Sequence, residues 1–182
     1  LLKELHRVSQ LPEFAGKRVN AIHQAADGTL WAGTHADGLL RLTDGRWKPA
    51  TDSVSGDLLF NDIVVNGIDE TSDGSLWVGT YNDGLWRLRA GRWERLDARL
   101  ASPKVLSLRA AGKQLWVGTR QGLAGFDGQT WQSFSGDVLP NPGVLALAPA
   151  EDGALWIGTM GGLAQYRPET TPGAKRTAFF PG

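Results

Sequence analysis

The chain has 182 residues, and its nineteen basic and nineteen acidic side chains cancel to a net charge of zero. Without a net positive field it has no general attraction for phosphate backbones or anionic lipid, which argues against nucleic acid partners and membrane contact. The absence of cysteine excludes disulfides, thiolate metal sites and thiol nucleophiles. No apolar run approaches the roughly 18 residues of a membrane span. The start, Leu1–Glu4, is neither a methionine start nor a signal peptide, so we expect a piece of a longer protein.

A five-residue cassette, Leu-Trp-x-Gly-Thr, occurs four times and dominates the sequence. Its tryptophans are separated by 46, 39 and 40 residues. A repeat of this length with several short apolar runs is typical of a β-propeller, because one small sheet buries its faces only by stacking on its neighbours. The four copies are Leu30–Thr34, Leu76–Thr80, Leu115–Thr119 and Leu155–Thr159.

In chain order, each repeat predicts four antiparallel strands. An alternating apolar run gives the first strand, an Asp-Gly or Ala-Gly pair gives a tight turn, and the cassette gives the second strand. A Gly-Leu segment starts the third strand, and a second turn leads to a fourth strand that carries a tryptophan in the first three repeats. We therefore predict an all-β fold, a β-propeller of about four four-stranded blades, at residues 19–50, 63–97, 104–135 and 143–180.

The two ends of the array leave its closure open. Residues 5–8 resemble an outer strand without a blade, and the last repeat lacks the tryptophan that marks its fourth strand. Either residues 5–8 complete the last blade and close a small four-blade ring, or Thr177–Phe180 supplies that strand after a longer loop. The further alternatives are that two chains associate into one ring, and that the chain forms part of a larger propeller.

The succession of an apolar strand, Asp-Gly, Leu-Trp-x-Gly-Thr and Gly-Leu-x-Arg resembles the two-component regulator propeller repeat of bacterial sensor proteins. The resemblance runs from about residue 19 to residue 166 and includes all four copies. It implies a periplasmic or otherwise extracytoplasmic location. It also implies that the propeller reads an extracellular signal, often a carbohydrate, for a histidine kinase or a diguanylate cyclase.

The connection between the second and third strands is the part of the repeat that varies most. Binding residues concentrate on such loops when a rigid scaffold holds them. An insertion between the first two repeats, which contains Leu58-Leu59-Phe60, falls on the same side; it forms either a packing cluster or subunit contact, or a hydrophobic wall beside the channel mouth. We expect a ligand, such as an oligosaccharide or another small extracellular molecule, to contact His35, Asp37, Phe60, Asn61, Tyr81, Asn82, Asp83, Arg120, Gln121 and Met160.

The cassette tryptophans keep one register in every copy, which predicts packing between blades rather than a glycan platform. They are Trp31, Trp77, Trp116 and Trp156.

No catalytic constellation is visible. The histidines lie at unrelated repeat positions, and no serine elbow or phosphate loop is present, so we expect no catalytic residue, no metal and no cofactor. The leading hypothesis is a noncatalytic propeller that senses a ligand or partner. One alternative is a polysaccharide lyase or hydrolase that would use Tyr81, Arg120, Asp37 and Asp83. The other is a pure assembly module.

Overall fold

The computed structural model describes residues 11–50, 62–134, 138–167 and 177–180. These residues form four separate four-stranded sheets in which every neighbouring pair of strands is antiparallel. Short 3-10 helices lie before the first sheet, at Pro12–Phe14, and after the second, at Asp97–Arg99. Within the described ranges there is no helix of the length and apolar character needed to cross a membrane.

Each sheet is one blade, and its strands follow chain order from the inner edge to the outer edge. Blade 1 contains β1 (Val19–Gln24), β2 (Leu30–Thr34), β3 (Leu39–Thr43) and β4 (Arg46–Pro49). Blade 2 contains β5 (Ile63–Glu70), β6 (Leu76–Thr80), β7 (Leu85–Arg89) and β8 (Arg92–Arg95). Blade 3 contains β9 (Val105–Ala111), β10 (Gln114–Thr119), β11 (Gly122–Phe126) and β12 (Trp131–Phe134). Blade 4 contains β13 (Val144–Pro149), β14 (Leu155–Thr159), β15 (Gly162–Tyr166) and β16 (Thr177–Phe180).

The last blade is completed from its own repeat. Strand β16 pairs with β15, with Leu163 opposite Phe180 and Tyr166 opposite Thr177. Of the two alternatives for this strand, the structure has the one in which Thr177–Phe180 supplies it. Residues 5–8 lie outside the described residues.

Adjacent blades pack face to face. We call the face that carries the cassette tryptophan the forward face, because it meets the next blade, and the opposite face the rear face. Between blades 1 and 2, for example, Trp31 and Leu39 of one forward face pack against Ile63, Ile68 and Val78 of the next rear face. Two further cores of the same construction lie between blades 2 and 3 and between blades 3 and 4.

The four blades form an open arc. The inner strands contact one another in the order β1, β5, β9 and β13. Among the described residues β13 and β1 make no comparable contact. A propeller needs that last junction to close, so the structure has an arc and not the closed four-blade ring that the sequence left open.

Candidate ligand site

The connection after each cassette is shaped by the cassette's own threonine. In all four blades its hydroxyl donates to the carbonyl of the glycine beside the third strand, as at Thr34 and Thr119 over 2.8 and 2.9 Å. The same hydroxyl accepts from a backbone amide within the turn. Because the backbone is held by one buried or half-buried threonine, the other side chains of the turn can differ without changing its shape.

A second backbone contact ties each connection to the start of an inner strand. The amide of the residue after the cassette donates to the carbonyl of the residue before the inner strand, over 2.9 to 3.0 Å. This brings together four pairs on one face of the arc, which we call the variable face: His35 with Arg18, Tyr81 with Asp62, Arg120 with Lys104, and Met160 with Gly143.

On blades 1 and 2 the carboxylates of Asp37 and Asp62 have partners on the variable face itself. One carboxylate oxygen of Asp62 lies 2.8 Å from Nδ1 of His35, and the other accepts from the amide of Asn82 over 2.7 Å. Lys17 makes an ion pair of 2.6 Å with Asp37. Since these two carboxylates already have partners, they offer little uncompensated negative charge to a ligand.

On blades 2 and 3 the charges are not matched. The Nζ atom of Lys104 lies 5.0 Å from the ring centre of Tyr81, and Nη1 of Arg120 donates to the Tyr81 hydroxyl over 3.3 Å. In the part of the chain that the structure describes, neither cation forms an ion pair. Two positive groups therefore flank one tyrosine, and the exposed Met160 lies on the same variable face.

The expected site residues divide into two groups. Eight lie in the connections of the variable face: His35, Asp37, Tyr81, Asn82, Asp83, Arg120, Gln121 and Met160. Of these, Asp37, Asp83 and Gln121 also donate their backbone amides to the cassette threonines. Phe60 and Asn61, with the rest of the insertion around Leu58, lie outside the described residues. Asp62 and Lys104 were missed by the sequence analysis. Their signal was the position before each inner strand, where the four copies read Arg18, Asp62, Lys104 and Gly143.

Three of the four structural tryptophans, Trp31, Trp77 and Trp116, lie in the cores between blades and away from the variable face. Trp31, Trp77 and Trp116 are buried, and Trp156 is half-buried on the forward face of the last blade. Arg41 and Arg87 lie over the rings of Trp31 and Trp77, at 5.5 and 5.4 Å. These contacts make the tryptophans part of the scaffold.

A separate cleft of about 300 Å³ lies between blades 2 and 3 on the opposite side of the arc. Its lining includes Asp73, Arg89, Lys113 and Asp127. Arg89 lies 3.7 Å from Asp73, so part of its charge is already paired. No group of three or more histidine or acidic side chains that could hold a metal occurs among the described residues.

The repeats match a known family. A sequence profile described as two component regulator propeller matches residues 13–36, 58–82 and 138–161. These are two component regulator propeller repeats. The third copy of the cassette, in whose repeat Ala111-Gly112 replaces the Asp-Gly turn, lies outside the match. No curated protein matches the chain.

Solved propeller structures share the fold. The extracellular domain of BT3049 from B. thetaiotaomicron, described as a hybrid two component system, has a TM-score of 0.76 at 22% identity, over 96% of this chain and 24% of that one. The extracellular domain of BT4673, described as a one component system of the same organism, has a TM-score of 0.64 at 23% identity, over 91% and 22%. Virginiamycin B lyase from Staphylococcus aureus has a TM-score of 0.59 at 18% identity, over 90% and 55%.

These identities show the fold alone. The chain spans about a quarter of the length of the two extracellular domains. The two component regulator propeller repeats, together with the fold shared with the extracellular domains of BT3049 and BT4673, support a sensing propeller module.

Proposed function

We propose that this chain is a noncatalytic ligand-sensing propeller in the extracytoplasmic part of a bacterial signalling protein. Its ligand binds on the variable face and carries an anionic group, with an acidic oligosaccharide as the leading class. The family of the repeats supports the sensing role, and the extracellular domains with the same fold support the location.

One observation carries the choice of ligand. Lys104 and Arg120 both contact Tyr81, and no carboxylate among the described residues neutralises them. Two neighbouring cations repel each other, and an anion bound between them offsets this repulsion. The pair therefore favours a negatively charged ligand. A guanidinium group also matches a carboxylate in geometry, because its N–H groups form a planar fork.

The remaining groups of the face fit a sugar. Tyr81 supplies a hydroxyl and a ring edge, His35 and Asn82 supply further polar groups, and Met160 supplies an adaptable apolar contact. An acidic oligosaccharide presents hydroxyls, a carboxylate and apolar ring faces, so it complements all of these groups at once. The chain's zero net charge makes this a local attraction and not a property of the whole surface.

The test is a calorimetric titration with two matched sets of probes. Oligogalacturonate, oligoglucuronate and sialylated oligosaccharide carry the carboxylate, and their methyl esters keep the sugar but lose the charge. We expect at least one acid to bind, with an affinity at least about tenfold above its ester, which corresponds to about 1.4 kcal/mol. Equal affinity for acid and ester contradicts the anionic ligand, and so does the failure of all the acids to bind.

A second candidate function follows from the Tyr81 hydroxyl, which accepts from Arg120 over 3.3 Å. In a lyase acting on uronate polymers, a tyrosine could exchange the proton while a nearby cation stabilises the charge that develops beside the carboxylate. The fold of virginiamycin B lyase shows that a propeller of this kind can belong to an enzyme. Incubation with polygalacturonate distinguishes the two functions, because elimination produces an unsaturated product with strong ultraviolet absorbance and simple binding does not.

A further inference from the structure

The forward face of the last blade is open where the equivalent faces are covered. The leucine near the start of each third strand lies on the forward face. Its exposed fraction is 1% at Leu39, 0% at Leu85, 2% at Leu123 and 41% at Leu163. Leu145, on the inner strand of the same blade, is 49% exposed. Because the four copies share one sequence pattern, the burial of this leucine in the first three blades shows that the following blade is what covers it.

The rear face of the first blade is open in the same way. The residue that starts each inner strand is fully buried at Ile63, Val105 and Val144, but Val19 is 44% exposed. Three positions further along blade 1, Ile22 is 69% exposed, whereas its counterpart in blade 4, Leu147, is 7% exposed. The outer part of this rear face is covered, since Leu40 is buried and Trp47 contacts Phe14 with their ring centres 5.1 Å apart. The open part of the face is therefore at its inner edge.

We propose that two copies of this chain join into one ring, with the forward face of blade 4 in each copy packed on the rear face of blade 1 in the other. The proposal is independent of the ligand on the variable face. It rests on continuity with an interface already present, because forward and rear faces of this same repeat pack together three times within the chain. A forward-to-rear contact must close into a ring or continue as a filament, and an arc of four blades with both ends open can close with a second arc.

The residues at the two open faces fit such a junction. Within the chain, Asn20 of blade 1 donates its amide to the carbonyl of Ile63 in the next blade over 2.8 Å. Blade 4 has Leu145 at the position of Asn20, so the junction between copies would be more apolar than this internal one. Leu145 and Leu163 on one copy would cover Val19 and Ile22 on the other. Burial of exposed leucine, valine and isoleucine is the main favourable contribution to association of this kind.

Light scattering coupled to size-exclusion chromatography tests the proposal on the whole chain. We expect a molar mass twice the 19.6 kDa of the chain. Both Leu163→Arg and Ile22→Arg are expected to reduce it to one chain mass, because each introduces a charge at both junctions of the ring. The matched control is Val138→Arg, which changes a residue that is also 41% exposed but lies between β12 and β13 and not on either open face. It is expected to keep the double mass.

A mixture of the two variants adds a second arm. A Leu163→Arg copy and an Ile22→Arg copy have one unaltered junction between them, so mixing them is expected to restore part of the double mass. Thermal unfolding of each variant confirms that the blades are intact. A single-chain mass for the unaltered protein overturns the proposal. The proposal is also overturned if Leu163→Arg reduces the molar mass and Ile22→Arg does not, since that result indicates forward faces packed on each other.

Discussion

Val105 lies against Gly79 so closely that a methyl group at Gly79 would come within 2.7 Å of the valine Cγ1 atom. Gly79 is the glycine of the second cassette, and Val105 begins the inner strand of the next blade. The same approach occurs between Gly33 and Ile63 and between Gly118 and Val144, at 2.6 Å in both cases. The absence of a side chain at the cassette glycine therefore leaves room for the first residue of the inner strand in the next blade.

The glycines of two cassettes should respond differently to alanine. Gly79→Ala is expected to destabilise the fold by about 1–3 kcal/mol, the usual cost of overpacking a well-filled core. At Gly158 the nearest contact for the added methyl group is Ala146 of the same blade, at 3.2 Å, so Gly158→Ala is expected to cost less than about 1 kcal/mol. Urea unfolding at a protein concentration that keeps the chain monomeric gives both values. Equal losses for the two variants would contradict the role of the glycine in blade stacking.

Thr71 holds the indole of Trp77 in the middle of the fold. The Trp77 Nε1 group donates to the Thr71 hydroxyl over 3.0 Å, and the hydroxyl in turn donates to Asp73 over 2.7 Å. Thr71→Val keeps the shape but leaves the buried indole N–H without this acceptor, which is expected to cost about 1–3 kcal/mol. In a Trp77→Phe background the same substitution should cost clearly less, because the donor is gone. Chemical denaturation of all four proteins measures this coupling, and an undiminished cost would refute it.

The turn aspartates make the fold sensitive to acid. The amide and hydroxyl of Thr130 and the amide of Gln129 donate to Asp127 and lower its pKa from 3.8 to about 2. The pKa of Asp27 is lowered by the amide of Thr29, and that of Asp152 by the amide of Ala154.

A lowered pKa in the folded state means that the folded protein binds its proton less readily than the unfolded chain. The stabilisation from Asp127 is therefore complete above its unfolded value of 3.8 and is lost as the pH falls towards about 2. Asp127→Asn removes this titration, so unfolding of the variant should depend less on pH across this window. Urea midpoints over the window, for both proteins, give the comparison. Parallel pH profiles would show that Asp127 does not contribute.

Asp62 has a left-handed backbone, with a φ of 62°. Such a conformation is tolerated by aspartate and glycine and disfavoured for alanine, by roughly 1 kcal/mol. Asp62→Ala and Asp62→Gly both lose the contacts to His35 and Asn82, so the difference between them isolates the backbone. We expect Asp62→Gly to melt at a higher temperature than Asp62→Ala. The reverse order would show that flexibility of the unfolded glycine chain outweighs this strain.

The strands and blades could be predicted because their signals are local. Alternating apolar runs, Asp-Gly turns and the cassette each fix a few neighbouring residues, and the constant register of the tryptophans indicated their place between blades. The sequence also contained a signal for the role of the cassette threonine, because all four copies have threonine at the end of the second strand, as at Thr34. Its hydroxyl satisfies groups in the adjoining turn, which is a local contact.

The composition of the variable face could not be predicted in full, because it depends on contacts between blades. Lys104 reaches Tyr81 from the neighbouring blade, and Asp62 bridges two connections that are far apart in sequence. The sequence pattern places a residue on a strand or in a turn, but the stacking of the blades decides which turns meet. The open ends of the arc have the same cause, since exposure of Leu163 and Val19 reflects the absence of a packed neighbour and not their own sequence.

The most direct test of the ligand site compares two variants with the same loss of charge. Lys104→Gln/Arg120→Gln removes both cations beside Tyr81. Arg92→Gln/Lys113→Gln removes two exposed cations outside the variable face, one at the start of β8 and one in the turn between β9 and β10. Titration with the acidic oligosaccharide that binds the unaltered chain, and thermal unfolding of the same samples, separate binding from stability. We expect the first variant to bind at least about tenfold more weakly, a loss of about 1.4 kcal/mol in binding free energy, and to keep its melting temperature. The second variant is expected to bind with unchanged affinity. Equal binding by both variants would contradict a ligand site at Lys104 and Arg120.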